Sequence, residues 1–267
     1  MTLTEAGYRV DTIAVRPASK HKRRATALAR RVGAGLVQFG KDHLSADIVW
    51  ITVPDDAIAS VANALARSGA WQGKIVFHSS GALTSDELAP LRAKGARVAS
   101  VHPMMTFVRD DVPQMAGVAF ALEGDAAAVR VAKAVVEDLG GNAFTIKKEN
   151  KVLYHVFGSF ASPLVIALMA TMEEVALAAG IRKRDIKRVM EPLIRQTLRN
   201  YLTRDAASAL SGPLVRGDVA TIRKHIAELQ RLHTPRQIYL ALARAAVNHL
   251  PAGTRHIIAD ELAGAEE

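Results

Sequence analysis

Asp47-Ile48-Val49-Trp50-Ile51-Thr52-Val53-Pro54-Asp55-Asp56-Ala57-Ile58 decides the fold. Its apolar run is nearly continuous rather than alternating, as in a strand covered on both faces between two layers of helix. The run stops at Pro54, where Asp55 or Asp56 is placed to cap a helix reaching about residue 67. Upstream, residues 10–15 read as a strand, 19–32 as a basic helix and 36–39 as a short strand. Downstream, 74–78, 97–101, 118–122 and 143–146 read as strands, with helices over 85–94 and 125–139. This alternation predicts an α/β domain, residues 1–146, with a mostly parallel, Rossmann-like sheet between helices.

After Lys147 the strand signal disappears. Residues 150–179 read as one long apolar helix, kinked near Pro163 and stopped by Gly180. Further helices over 184–202, 219–232, 235–250 and a short terminal one make 150–267 an all-helical domain. The uncharged run 156–172 is short for a membrane span and contains Gly158, Ser159, Ser162 and Pro163, so it is expected to be a buried helix.

The 267 residues carry 35 Lys/Arg against 26 Asp/Glu, a net charge of +9, and 49% are apolar. That balance excludes a disordered or collagen-like chain. The absence of cysteine excludes disulfides, thiolate metal sites and cysteine nucleophiles. The first residues lack a secretory pattern, and a cytoplasmic protein is expected. The charge is concentrated: residues 1–45 hold nine Lys/Arg against three acids, and 181–237 hold thirteen against five. Two basic blocks suit an anionic ligand, or equally two solvated helix faces. Few aromatics accompany them, which argues against nucleic acid.

An α/β half joined to a helical half suggests a dinucleotide-binding domain with a substrate domain. Such a domain opens with a strand, a glycine-rich turn and a helix. Gly33-Ala34-Gly35 does not serve, because it follows a helix and leads into a strand. One reading makes residues 2–7 the end of the first crossover helix and 8–15 the second strand, with the first strand and its GxGxxG turn upstream of Met1. That reading expects a gap between the second and fourth strands, with unpaired backbone groups. At the end of the second strand, Arg16, Ser19 and Lys20 replace the acid that holds the ribose of NAD, so NADP is expected.

Strand ends in such sheets line the ligand crevice. Val53 and Pro54, then Ser79 and Gly81 in His78-Ser79-Ser80-Gly81-Ala82, then His102 in His102-Pro103-Met104-Met105, are the expected cofactor contacts. Two histidines at one sheet edge without a third ligand are not read as a metal site. Lys151, Tyr154 and His155 share one helix face beside the domain boundary, and Ser159 and Ser162 continue its polar stripe. In 211–218, Asp218 is a natural N-cap, and Arg216 can hold a carboxylate or phosphate. Asn200 is a weaker candidate for the same cleft.

The order VPDDAI, HSSGAL, HPMMTF, KVLYH and LSGPLVRGD resembles the Rossmann-like proteins with a DUF2520 helical C-terminal domain. These are similar to 6-phosphogluconate dehydrogenase-like, F420/NADP-dependent and pyrroline-5-carboxylate reductases. The resemblance spans about residues 3–250; the glycine-rich fingerprint is its one departure. It implies a nucleotide-binding domain, a helical domain that dimerises, and an oxidoreductase using NADP, with F420 as a second possibility. By the same resemblance Lys151 is the first acid/base candidate and His155 the second, with Tyr154, Ser162 and Arg216 toward a small anionic substrate. Two other readings stay open: a non-catalytic, degenerate Rossmann-like protein that dimerises, and a basic nucleic-acid-binding protein.

Overall fold

The computed structural model describes residues 2–15, 22–39, 44–108 and 113–265. The chain divides into two compact units, Met1–Ser162 and Pro163–Glu267. In the first, α1 (Thr2–Glu5), β1 (Thr12–Val15), α2 (Lys22–Val32) and β2 (Gly35–Gln38) precede β3 (Ile48–Ile51) and α3 (Asp55–Ala66). Next come β4 (Ile75–His78), a 3₁₀ turn (Ser85–Leu88) running into α4 (Ala89–Arg92), β5 (Arg97–Pro103) and β6 (Ala119–Gly124). α5 (Ala126–Asp138), β7 (Asn142–Thr145) and α6 (Lys151–Ala161) complete the unit.

The expected α/β architecture is present, with a mostly parallel sheet. β3, β4 and β5 are parallel neighbours, β6 is antiparallel to β5, and β7 runs parallel to β6. Period-two geometry explains why β3 is apolar throughout. Val49, Val76 and Val98 are aligned across the three strands and enter one core, which Ile58, Ala62 and Leu65 of α3 cover. Trp50, Phe77 and Ala99, one residue on, enter the opposite core under Ala128, Ala132 and Val136 of α5. The helix spacings of four and three or four residues put each triplet on one face. Trp50 meets Phe77 edge-on, with ring centroids 5.3 Å apart.

Among the described residues the strands form two separate sheets. β1 and β2 pair only with each other, and β3 to β7 form the five-stranded sheet. The expected interruption between the second strand and the fourth is therefore observed as an absence of pairing between β1 and β3.

The second unit contains α7 (Pro163–Ala178), α8 (Lys183–Thr203), α9 (Ala206–Ala209), α10 (Pro213–Arg216), α11 (Val219–Leu229), α12 (His233–Val247) and α13 (Ala252–Gly264). Its core is built on Ile222, Ile226, Leu240, Ala243, Ile258 and Leu262. Asp218 caps α11 as expected, accepting from the Thr221 amide at 3.0 Å and its hydroxyl at 2.8 Å.

Two expectations need correction. The long apolar helix is two helices, because Ser162 leaves helical geometry (φ −131°, ψ −81°) immediately before Pro163. It is also not a core helix: α7 buries none of its residues. By length and composition Lys148–Ala178 suffices to cross a membrane. Its first turns, however, are tied by side chains to the sheet of the first unit, as described below.

Gly124 ends β6 with φ +138°, and a Cβ there would lie 2.4 Å from the Val98 carbonyl oxygen. Gly124→Ala is expected to cost about 2 kcal/mol or more of unfolding free energy, measured by urea denaturation.

Candidate functional site

The parallel order of β3, β4 and β5 brings their C-terminal ends to one edge of the sheet. The segment after β4 is held rigidly there. His78 is fully buried, and its Nδ1 accepts from the Ser80 amide at 3.1 Å. An accepting Nδ1 carries no proton, so Nε2 donates to the Thr84 carbonyl at 3.0 Å. Burial, with the charge of Lys151 adding to it, lowers the His78 pKa to about 4 against the opposing pull of the Thr84 bond and Asp55. His78 is thus a neutral brace rather than a ligand.

Ser80 Oγ donates to Asp55 Oδ2 at 2.6 Å and accepts from the Leu83 amide at 2.9 Å. Asp55 therefore does not cap α3 through its side chain, as the sequence had suggested; Pro54 occupies the cap position without a side-chain bond. Ser79 Oγ accepts from Trp50 Nε1 at 2.8 Å, which fixes the segment to β3. Glu123 on β6 is buried and accepts from the Ser85 amide at 2.5 Å and its hydroxyl at 2.9 Å.

Lys151, the first residue of α6, is only 1% exposed. Its Nζ donates to the Ser80 carbonyl at 2.7 Å and to Ser100 Oγ at 2.6 Å, so one ammonium joins α6 to the segment after β4 and to the middle of β5. Burial pulls its pKa down to about 8, against the favourable charges of Glu123 and Asp55.

The next turn of α6 carries Tyr154 and His155. Tyr154 Oη lies 2.8 Å from His102 Nδ1, and burial raises the Tyr154 pKa to about 12. His102 is held neutral, its pKa lowered to about 4 by burial and by the nearby charges of Lys151 and His155. Nε2, the other ring nitrogen of His102, faces Gly81. A Cβ at Gly81 would lie 2.7 Å from His102 Nε2 and 2.6 Å from His155 Cδ2. The His102 and His155 rings stand 6.2 Å apart, edge to face. Met104 packs on α6 at Gly158, where a Cβ would come within 3.0 Å of its sulfur.

Of the residues singled out from sequence, Ser79, Gly81, His102, Lys151, Tyr154 and His155 come together at this edge. Val53 packs against the core under α3, and Pro54 begins that helix. Ser162 closes α6 two turns beyond Tyr154. Arg216 ends α10 and Asn200 lies on α8, both in the second unit. Arg16, Ser19 and Lys20 lie outside the described residues. Sequence reasoning missed Asp55, Ser80, Ser100 and Glu123 as members of the network. Their signal was present as polar residues within or just after otherwise apolar strands. No cluster of three His, Asp or Glu side chains suited to a metal occurs among the described residues.

A dinucleotide fits this edge only in part. The first turn of α2 carries Lys22, Arg23 and Arg24 and no acid, which suits a phosphate. The first turn of α3 carries Asp55 and Asp56, which do not. No strand-to-helix turn among the described residues carries the G-x-G-x-x-G spacing of a pyrophosphate cradle.

Comparison with known proteins places the two halves. Residues 1–103 match the Rossmann-like domain family, and residues 118–246 match the domain of unknown function DUF2520. A Rossmann-like match is thus followed by a DUF2520 match, and the site draws Gly81 and His102 from the first region and Lys151, Tyr154 and His155 from the second. No curated protein matches the sequence significantly.

Solved structures share the fold. Protein TM1727 from Thermotoga maritima is 23% identical with a TM-score of 0.73, the alignment covering 98% of this chain and 96% of that one. An imine reductase from Pseudomonas sp. is 22% identical with a TM-score of 0.62, covering 100% and 93%. An imine reductase from Myxococcus stipitatus, solved in complex with NADP+, is 19% identical with a TM-score of 0.59, covering 92% and 90%.

Two outcomes test this geometry. Because the folded His78 pKa lies below that of the unfolded chain, the unfolded state binds the extra proton between about pH 6.5 and 4. The contribution is therefore complete above pH 6.5 and is lost as pH falls toward 4, about 3 kcal/mol in all. His78→Asn should flatten that part of the stability–pH curve in calorimetry. Gly81→Ala should displace both imidazoles and shift their Cε1–H resonances in NMR, while the melting temperature changes by only a few degrees.

Proposed function

We propose that this chain is an NADP-dependent oxidoreductase acting on a small anionic substrate with a reducible carbonyl or imine group. The observation that carries this reading is the convergence of Tyr154, His102 and His155 on Gly81, at the sheet edge where α/β folds bind ligands. The imine reductase crystallised with NADP+ supports the cofactor class through its shared fold, and F420 is the alternative carrier. Fold alone does not fix chemistry, so the argument rests on these side chains.

His155 is exposed beside Gly81 and is the group placed to move a proton to or from substrate. Tyr154 holds the His102 ring through Nδ1, with Nε2 directed toward Gly81. Lys151, buried and doubly bonded, reaches no substrate itself. It acts as a positioning residue through Ser80 and Ser100. Because the described residues lack the pyrophosphate cradle, no step is assigned to the dinucleotide.

The test is NADPH oxidation followed at 340 nm with small keto acids and cyclic imine carboxylates, at saturating NADPH. His155→Ala and Tyr154→Phe should each lower kcat by roughly 10²-fold. Unchanged kcat in both variants, or no turnover with any nicotinamide or F420, would remove this reading.

We also infer that the chain self-associates through its helical unit. α7 is mostly apolar yet has no fully buried residue, and a helix of that kind needs a cover. It exposes Leu164, Ile166, Val175 and Leu177, and the adjoining α8 exposes Val189, Leu193, Leu198, Tyr201 and Leu202. A second copy offers the same apolar surface in return. Light scattering should give a dimer for the native chain and a monomer for Leu193→Glu/Leu202→Glu. A native monomer, or partition of the native chain into neutral vesicles, would contradict this.

A further inference from the structure

The second basic block of the sequence runs into α12, where Arg236, Leu240 and Arg244 recur every four residues. That spacing puts the three on one face of the helix. Leu240 is buried in the core of the second unit, with an arginine one turn before it and one turn after it. Both guanidinium groups reach the end of α13. Arg236 Nη2 donates to the Ala265 carbonyl, and Arg244 Nη2 donates to the Leu262 carbonyl at 3.1 Å. Cations suit a helix C-terminus, where the last carbonyls have no partner within the helix.

Capping explains where these arginines sit, but it leaves most of the Arg236 donors unused. Arg236 Nε is buried and has no hydrogen-bond partner. A buried N–H in that state has lost water without gaining an acceptor, which is costly and rare in folded proteins. Among the described residues Arg236 also forms no ion pair with a carboxylate, although it is half-buried. A contrast lies on the same helix: Glu261 of α13 gives both its oxygens to Arg223 Nε of α11, at 2.9 and 3.0 Å. α13 satisfies Arg223 with a charge and offers Arg236 only a carbonyl.

Arg236, Gln237, Leu240 and Arg244 line a cavity of about 330 Å³, and none of the four is acidic. That volume falls at the lower end of small-ligand sites, roughly 300–1,000 Å³. We propose that this cavity binds a phosphate group, either as the free ion or on a small monoester. Two guanidinium groups match a charge near −2 better than they match a single carboxylate, and their planar forks fit phosphate oxygens. A phosphate oxygen in the guanidinium plane of Arg236 is the acceptor that its Nε lacks. The Gln237 amide adds a neutral donor, and Leu240 forms the apolar wall. The site lies within the second unit and is independent of the chemistry proposed at Gly81.

The experiment titrates sodium phosphate into the native chain at constant ionic strength, with the arginine Nε–H resonances followed by heteronuclear NMR. The Arg236 resonance, assigned through its bonds, should shift with a midpoint at roughly millimolar phosphate. Arg236→Lys and Arg244→Lys keep the charge but lose the fork, and each should weaken binding by about 5-fold to 10-fold in calorimetric titration. Gln237 is exposed, so Gln237→Ala leaves the core untouched and should weaken binding about threefold. Acetate should bind at least about 10-fold more weakly than phosphate. Glycerol 3-phosphate binding more tightly than inorganic phosphate assigns the site to a monoester, and the reverse order assigns it to the free ion.

An Arg236 resonance that does not move across the titration would overturn the proposal. Equal phosphate affinity in the native chain and all three variants would mean an adventitious ion only, and would overturn it as well. Acetate bound as tightly as phosphate would overturn the assignment to a phosphate group. Glu266 and Glu267 follow Ala265 in the sequence. Phosphate binding that appears only in Glu266→Gln/Glu267→Gln would overturn the proposal in favour of the chain's own carboxylates.

Discussion

The buried ammonium of Lys151 is the interaction on which the site depends. An ammonium withdrawn from water carries a large desolvation cost, only partly offset by Glu123 and Asp55. What it provides is a fixed junction. Ser80 after β4, Ser100 on β5 and the first turn of α6 are joined through one nitrogen. That junction sets the start of α6, and the helical repeat then carries Tyr154 to His102 and His155 to Gly81. A methionine of similar length could fill the space but could not bond both partners. A costly buried charge at a strand-end edge is a mark of a functional site rather than of stability.

Much of this was legible in the sequence, for identifiable reasons. The unbroken apolarity of β3 announced a sheet covered on both sides, because Val49 and Trp50 each need a core of their own. The histidines and the Lys151–Tyr154–His155 spacing were visible because strand ends and helix faces are periodic. Ser80 and Ser100 were not singled out and Asp55 was read only as a helix cap, since their importance lies in contacts across 20 to 71 residues of sequence. Lys151 reads as an acid/base candidate on a cleft-facing helix face, and only the packing of α6 shows its ammonium buried against Ser80 and Ser100. The exposure of α7 was also hidden, because apolar composition gives no sign of whether the cover comes from the same chain.

The two matched regions bear on one another at this site. The Rossmann-like region supplies the strand ends and the glycine against which imidazoles pack, and the DUF2520 region supplies the lysine, tyrosine and second histidine. Neither region alone contains the constellation. The chemistry proposed here follows from that meeting, while the shared fold with imine reductases fixes only the scaffold.

The most direct test of the account is the titration of Lys151 itself, followed through its Cε methylene resonance in the selectively labelled protein. A buried ammonium held between Ser80 and Ser100 should titrate at about pH 8, and Ser100→Ala should move that midpoint. A midpoint near 10.5, unchanged by Ser100→Ala, would mean a solvated lysine and would contradict the arrangement from which the site is built.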